Sequence, residues 1–227
     1  MPVRALLGTL FIFLGCSSSG WGTTLRLMSL EDLLSASSRV VVGECLQFHE
    51  GVDGRGLPFT QYDFRLVDQL KGVPKGKLLT VKQFGRVTAP TQRGEVRSVV
   101  RIEGMPHYRP GETYLLFLGP DSRWGFTSPI GLAQGAFLVT GTGSNRRLVN
   151  SLDNRNLGLD TSQSVREKVS ERRLQMRQSG TPRLADEPVR GPVSLVDFTE
   201  VLRRLSAGEH LDERRLNEAL SEGGNRR

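Results

Sequence analysis

The chemically richest stretch of the chain is residues 106–120, PHYRPGETYLLFLGP. It places His107 close to Glu112, and these two side chains are the best pair in the sequence for general acid–base chemistry. Such a pair acts only when each group lies within hydrogen-bond reach of the proton it moves, in a pocket that shifts its pKa. One interpretation of the chain is therefore a hydrolase that uses His107 and Glu112.

The same stretch is also typical of a turn that leads into a strand. The Pro-Gly pair at 110–111 is favoured in tight turns, and a hydrophobic run follows it. Arg109 and Glu112 would then lie in solvent on either side of the turn. This interpretation predicts a surface loop that a partner could bind, formed by His107, Tyr108, Arg109 and Glu112.

Other signatures of catalysis are missing from the sequence. The histidines, His49, His107 and His210, lie on separate segments, and neither H-x-x-x-H nor C-x-x-C occurs. No serine stands in G-x-S-x-G. The run GTGSN has no helical pattern behind it and is typical of a hairpin turn rather than a phosphate-binding loop. We therefore expect a non-enzymatic protein without a metal or cofactor.

The first residues predict export. Arg4 precedes a largely apolar run over residues 5–15, as in a secretory signal, and this run is too short to span a bilayer stably. Cleavage after small residues would leave Thr23 as the mature end, whereas lipidation of Cys16 is the alternative. Cleavage is favoured because Phe13 is bulkier than the residue that lipoprotein signals usually carry there. No later segment predicts a membrane span, so we expect a secreted, periplasmic or cell-envelope protein.

The cysteines exclude an internal disulfide in a chain that begins at Thr23. The sequence has two, Cys16 and Cys45, and only the second would remain after cleavage. Cys45 lies in the strand-like run RVVVGECLQF. We interpret it as a small buried hydrophobic residue rather than a reactive thiol.

Hydrophobic patterns predict an all-β domain over residues 23–150, with an N-terminal helix. Ser29 is a suitable N-cap for a helix over 29–37, since acidic residues follow it and leucines share one face. Strand patterns follow with no long helix between them, which predicts an antiparallel, OB-like barrel. The strands are expected within residues 37–50, 57–73, 77–85, 94–104, 113–119, 136–140 and 147–150.

The composition changes after residue 150. Residues 151–191 are polar and lack aromatic side chains, so they predict a linker that is partly helical or disordered. Residues 192–227 predict a helical tail, in which Ser194 caps an amphipathic helix that ends near Gly208. Its polar face is mixed in charge, which favours docking on the β domain over binding to a membrane or partner. With the signal over 1–22, this gives the expected domain organisation.

The net charge of +7 is uneven along the chain. Residues 23–150 carry 16 Lys and Arg against 11 Asp and Glu, whereas residues 151–227 carry 14 against 13. A second alternative function is therefore a polyanion-binding barrel that uses the basic residues within 71–82, namely Lys71, Lys75, Lys77 and Lys82. Export argues against nucleic acid, and a solvated basic surface is the simpler interpretation because no long Lys/Arg block occurs.

Several runs together resemble a known group of proteins. SLEDLLSASSRVVVGEC, YDFRLVDQLKG, LLTVKQFG, PHYRPGETYLLFL and QGAFLV resemble small exported bacterial proteins, some of which are associated with secreted matrixin-type metalloproteases. The order of these runs is also similar to the OB-type barrel of netrin-like domains and tissue inhibitors of metalloproteinases. The resemblance covers residues 29–150, and it implies a barrel whose loops bind a protease or another exported protein.

The inhibitor likeness implies a zinc-chelating N-terminal cysteine, and this sequence departs from that pattern. The expected mature end is Thr23, and a lipidated Cys16 would have a blocked amine. We therefore expect an exported, non-enzymatic binding or accessory module, with a secreted metalloprotease-like protein as its partner and no nucleic acid. The sequence leaves the oligomeric state open.

Overall fold

The computed structural model describes residues 26–72, 76–87, 101–158, 190–211 and 213–221. Several predictions lie outside these ranges. They are the signal sequence with Cys16, Lys75, the strand pattern over 94–100 and most of the linker, 159–189.

The described residues form one antiparallel sheet of seven strands in the order β3-β2-β1-β4-β5-β6-β7. This confirms the antiparallel, mostly β prediction, and the last two strands of the predicted domain begin and end at the predicted residues. The strands are β1 Arg39–Val52, β2 Pro58–Lys71, β3 Leu78–Phe84, β4 Thr113–Leu118, β5 Ala136–Thr140, β6 Arg147–Asn150 and β7 Val193–Ser194.

The sheet is not closed, so the predicted OB barrel is not confirmed. Within the described residues, β3 and β7 each pair on one side only. β1 is irregular, with register shifts against β2 between Val42 and Gly43 and between Cys45 and Gln47, and such bulges increase the local twist. The backbone N–H of Thr127, in the segment between β4 and β5, donates to the carbonyl of Lys82 in β3 over 2.9 Å. This bond joins the segment after β4 to β3.

The described residues contain three α-helices beside the sheet, and the first two begin where the sequence predicts. They are α1 Leu30–Ala36, α2 Leu195–Ser206 and α3 Glu213–Ser221. Ser29 and Asp32 form a reciprocal capping box at the start of α1, and the Ser194 hydroxyl accepts from the backbone N–H of Asp197 at the start of α2. Among the described helices, none has the length and apolar character needed to cross a membrane.

Replacing Ser29 with alanine should lower the free energy of unfolding by about 1 kcal/mol. The Ser29 hydroxyl accepts a 3.1 Å hydrogen bond from the backbone N–H of Asp32, and alanine would leave that N–H without its cap. Urea unfolding followed by circular dichroism measures the change. Ser35→Ala is the matched control, since its exposed hydroxyl bonds only within the helix, and equal losses for the two variants would contradict the assignment of the cap.

The central strands β1 and β4 are apolar on both faces because a separate hydrophobic core lies on each side of them. Val42 and Phe117 face the helices, where Phe198 of α2 contacts Phe137 with 5.3 Å between ring centroids. On the other face, Leu116 packs into a cluster rich in aromatic residues. The prediction of a docked C-terminal helix is therefore confirmed.

Residues 151–158 are packed turns, although the sequence suggests that a polar linker begins there. Asn154 lies at φ +60° and is fully buried. Its side-chain amide donates to the carbonyls of Leu148 and Gly191, and its oxygen accepts from the backbone N–H of Asn150. Asn156 in turn donates to the carbonyl of Met28 over 2.7 Å. Buried asparagines thus connect this turn to β6, to the N-terminal segment and to the start of the tail.

Candidate functional site

The loop before β4 contains the predicted Pro-Gly turn. The backbone N–H of Glu112 donates to the carbonyl of Arg109 over 3.1 Å, which closes the turn around Pro110 and Gly111. Gly111 has φ +83°, a conformation that glycine adopts without the strain of a β-carbon. The turn prediction is therefore confirmed, and the turn leads directly into β4.

The side chain of Tyr108 anchors this loop in the hydrophobic core and is not on the surface. Its side chain is 2% exposed, and its ring contacts those of Tyr62, Phe64 and Tyr114 at centroid distances of 4.8, 5.2 and 5.0 Å. Its hydroxyl accepts a 3.3 Å hydrogen bond from the buried amide of Gln83. The predicted partner-binding set is corrected in this respect, because burial in the aromatic core removes Tyr108 from the surface.

The Tyr114 hydroxyl supports the turn from the side. It accepts from the backbone N–H of Arg109 over 3.1 Å and donates to the carboxylate of Glu112. Burial, reinforced by this bond to Glu112, raises the pKa of Tyr114, so the hydroxyl stays protonated. Arg109 itself is 82% exposed and lies 3.7 Å from Glu112. Arg109 is therefore held at its backbone while its guanidinium remains available to a partner.

Two exposed apolar residues of β1 lie next to this loop. Cys45 exchanges backbone hydrogen bonds with Gly111 and Glu112, which brings the following residue, Leu46, beside the turn. Phe48 contacts the Tyr62 ring at 5.7 Å. Leu46 is 39% exposed and Phe48 is 40% exposed. We call Leu46, Phe48, His107 and Arg109 the loop surface.

Sequence reasoning missed the apolar half of the loop surface. The run CLQFHE follows a valine-rich strand, so Leu46 and Phe48 look like further core residues. The register shift between Cys45 and Gln47 alters the alternation, and beyond it β1 pairs with β2 alone. Leu46 lies at that irregularity, and its side chain is exposed instead of buried in the core. The one sequence signal was the change from an apolar to a mixed pattern after Cys45.

The structure does not bring the predicted acid–base pair together within hydrogen-bond distance. Nδ1 of His107 lies 3.4 Å from the Tyr62 hydroxyl, whereas the Glu112 carboxylate bonds to Tyr114 and pairs with Arg109. Burial raises the pKa of Tyr62 to about 12, so this hydroxyl is protonated at neutral pH. Burial and the nearby charge of Arg101 lower the pKa of His107, against an opposing effect of Glu50.

A small polar cleft opens beside His107. Two of the residues that line it contact Glu50, whose carboxylate accepts from the Thr60 hydroxyl over 3.4 Å and pairs with Arg86 at 3.8 Å. Arg86 and Arg101 line the same cleft as His107, and the charge of Arg86 is offset by its pairing with Glu50. The cleft is lined by Thr60, Gln83, Phe84, Gly85, Arg86, Val87, Arg101, Ile102, Met105 and His107.

Replacing His107 with glutamine should make stability less sensitive to acid. The folded pKa of His107 lies below the unfolded value of about 6.5, so the unfolded state binds more protons as the pH falls below that value. The stabilisation is complete above pH ~6.5 and is lost as the pH falls from there toward the folded pKa. Urea midpoints at pH 7.5 and pH 5 should therefore drop more in the native chain than in His107→Gln. Equal drops would contradict this assignment.

Two of the lysines proposed for polyanion binding are engaged within the fold, whereas Lys77 is exposed. The ammonium group of Lys71 donates to the carbonyl of Leu34 over 2.5 Å. That of Lys82 lies between the rings of Phe59 and Phe126, at 4.6 and 4.5 Å from their centroids, and 3.7 Å from Asp53. Both lysines therefore hold parts of the fold together.

Cys45, His49 and His210 each contact other residues of the fold. Cys45 is buried, as predicted, and burial raises the pKa of its thiol to about 11, which disfavours the reactive thiolate. His49 packs edge-on against Phe59, and His210 lies 3.4 Å from Glu31. The ranges that the structure describes contain no cluster of His, Cys, Asp and Glu able to hold a metal ion.

Searches with this sequence against protein-family models and against curated proteins found no match.

Proposed function

We propose that this chain is an exported, non-enzymatic binding or accessory module that contacts another exported protein through the loop surface. The main support for the proposal is that two tyrosines fix the loop before β4 to the rest of the fold. Tyr108 fixes it from within the core and Tyr114 fixes its turn, while the neighbouring side chains of His107 and Arg109 remain exposed. A surface held in one conformation before binding loses less entropy on association.

The composition of the loop surface supports a protein as the ligand. Leu46 and Phe48 supply exposed apolar side chains, and Arg109 and His107 supply exposed polar ones. Protein interfaces commonly combine a central apolar or aromatic group with arginine and a polar rim. The separate hydrogen-bond partners of His107 and Glu112 favour this function over hydrolysis.

We propose that the part of the sheet that contains β1 to β4 is an OB-like barrel. The hydrogen bond from Thr127 to Lys82 links β3 to the segment after β4 and supports this proposal. The resemblance to netrin-like domains and metalloproteinase inhibitors makes a secreted metalloprotease the first partner to test. Binding would use the loop surface, since the sequence offers no disulfide-held N-terminal cysteine to chelate zinc.

Native purification of the chain from its host's exported fraction tests the proposal. We expect a protein partner in stoichiometric amount, identified by mass spectrometry after gel filtration, and an intact mass that corresponds to a chain starting at Thr23. The Leu46→Ser/Arg109→Ala double variant should elute without the partner.

The hydrolase alternative predicts a different result from the same preparation. The native chain would elute alone and hydrolyse ester, peptide or glycoside substrates, and His107→Ala would abolish that turnover without unfolding the protein. This result would contradict the binding module.

A further inference from the structure

A second exposed cluster lies on the segment between β4 and β5. The guanidinium carbon of Arg123 lies 4.4 Å from the centroid of the Trp124 ring, in a cation–π contact. Trp124 is 40% exposed, and Arg123 beside it is exposed as well. Tryptophan and arginine are among the residues that contribute most to protein interfaces. We call Arg123 and Trp124 the Arg–Trp tip.

The backbone around the Arg–Trp tip is fixed by its own hydrogen bonds. The Ser122 hydroxyl accepts from the backbone N–H groups of Trp124 and Phe126, at 3.3 and 3.0 Å. The Ser122 N–H donates to the carbonyl of Phe126 over 2.7 Å, and Gly125 donates back to the carbonyl of Ser122 over 2.8 Å. The tip therefore has its shape before any partner arrives.

The tip is also attached to the sheet, which keeps Trp124 away from the core. Phe126 packs edge-on against Phe84 of β3 at 5.9 Å and lies under the ammonium group of Lys82. The adjacent Thr127 makes the backbone bond to Lys82. With Phe126 directed to the sheet, Trp124 and Arg123 remain on the solvent side.

The charge of Arg123 is unpaired within the described residues, whereas nearby acidic groups have partners. Asp121 lies 2.5 Å from Arg39, and Asp53 pairs with Lys82 and Arg55. A guanidinium that stacks on an aromatic face keeps its N–H edge free for a carboxylate, which it can bind through two hydrogen bonds. The tip thus complements an acidic group that has an apolar neighbour.

We propose that the Arg–Trp tip is a docking point for an acidic protein segment. A carboxylate of the segment accepts hydrogen bonds from Arg123, and an adjacent aliphatic side chain packs on Trp124. A protein is favoured over an anionic membrane because stable membrane attachment needs a basic cluster or a second anchor, and the tip itself offers one arginine. The inference shares with the proposed function only the idea of a protein partner, and it concerns a separate surface.

The fluorescence of Trp124 provides a direct test. The sequence has two tryptophans, and Trp21 precedes the expected mature end at Thr23, so Trp124 is the only tryptophan of the processed chain. We would titrate this processed chain with a soluble decapeptide that contains two Asp–Leu pairs, and we expect a saturable change in Trp124 emission. Arg123→Ala should weaken the affinity at least about tenfold, and Arg123→Lys several-fold, since lysine cannot make the paired hydrogen bonds.

The controls separate this surface from the loop surface and from general charge effects. Arg109→Ala should leave the peptide affinity within about twofold of the parent, and a peptide with Asn in place of Asp should bind at least about tenfold more weakly. The absence of saturable binding, equal weakening by Arg123→Ala and Arg109→Ala, or tighter binding to phosphatidylglycerol vesicles than to the peptide would each overturn the proposal. None of these results bears on partner binding at the loop surface.

Discussion

Replacing Tyr108 with alanine should lower the free energy of unfolding by about 4 kcal/mol. The side chain is fully enclosed by Tyr62, Phe64 and Tyr114, so alanine would leave a large cavity and remove three edge-to-face ring contacts. It would also leave the buried amide of Gln83 without its hydrogen-bond acceptor. Urea unfolding, followed by tyrosine fluorescence and circular dichroism, measures the loss.

The Tyr108→Phe variant distinguishes the stability contributed by the ring from that contributed by its hydroxyl. The phenylalanine keeps the aromatic packing and loses only the 3.3 Å bond to Gln83, so we expect a cost of about 1 kcal/mol. A small loss for Tyr108→Ala, close to that of Tyr108→Phe, would show that the ring does not anchor the loop. The loop surface would then lack the support on which the binding proposal depends.

Replacing Asn154 with alanine should cost about 4 kcal/mol. Its buried side chain makes three hydrogen bonds, to Leu148, Gly191 and Asn150, at 2.9 to 3.0 Å. Alanine would leave these backbone groups without partners, and at φ +60° it would lack the local side-chain hydrogen bonds that make this conformation more favourable for asparagine. The loss would appear as a lower urea midpoint and as earlier release of the C-terminal helices.

Asp153→Ala is the matched control for the free-energy cost of the positive-φ backbone conformation. Asp153 also lies at positive φ, +55°, but among the described residues its carboxylate makes an exposed contact with Arg155 at 3.8 Å. We expect a cost of about 1 kcal/mol, mostly from the backbone conformation. Equal losses for Asn154→Ala and Asp153→Ala would show that the side-chain network contributes little.

Local signals were sufficient to predict most of the elements. Ser29 and Ser194 each stand before an acidic first turn, and capping depends on the adjacent residues alone. Gly111 marks its turn because a positive φ selects glycine within a few residues. The alternation in β2, with Tyr62 and Phe64 directed inward, also follows from local periodicity.

The contacts that define the candidate site are long-range, and the sequence could not show them. Tyr108 resembles an exposed loop residue until β2 and β4 provide the rings around it. Leu46 becomes exposed because of one register shift in β1, which periodicity does not reveal. The asparagines after β6 look like linker residues, since their partners are backbone groups distant in sequence, such as those of Met28 and Gly191.

Titration calorimetry with the co-purified partner is the most direct test of the loop surface. Leu46→Ser and Arg109→Ala should each weaken binding at least about tenfold while leaving the unfolding midpoint close to that of the native chain. Arg203→Ala provides the matched control, because Arg203 is an exposed arginine on α2, a helix of the opposite face, and its ion pair within the described residues is with Glu200. We expect its affinity to stay within about twofold of the native value. Unchanged affinity in both loop variants would contradict the proposal that this surface binds the partner.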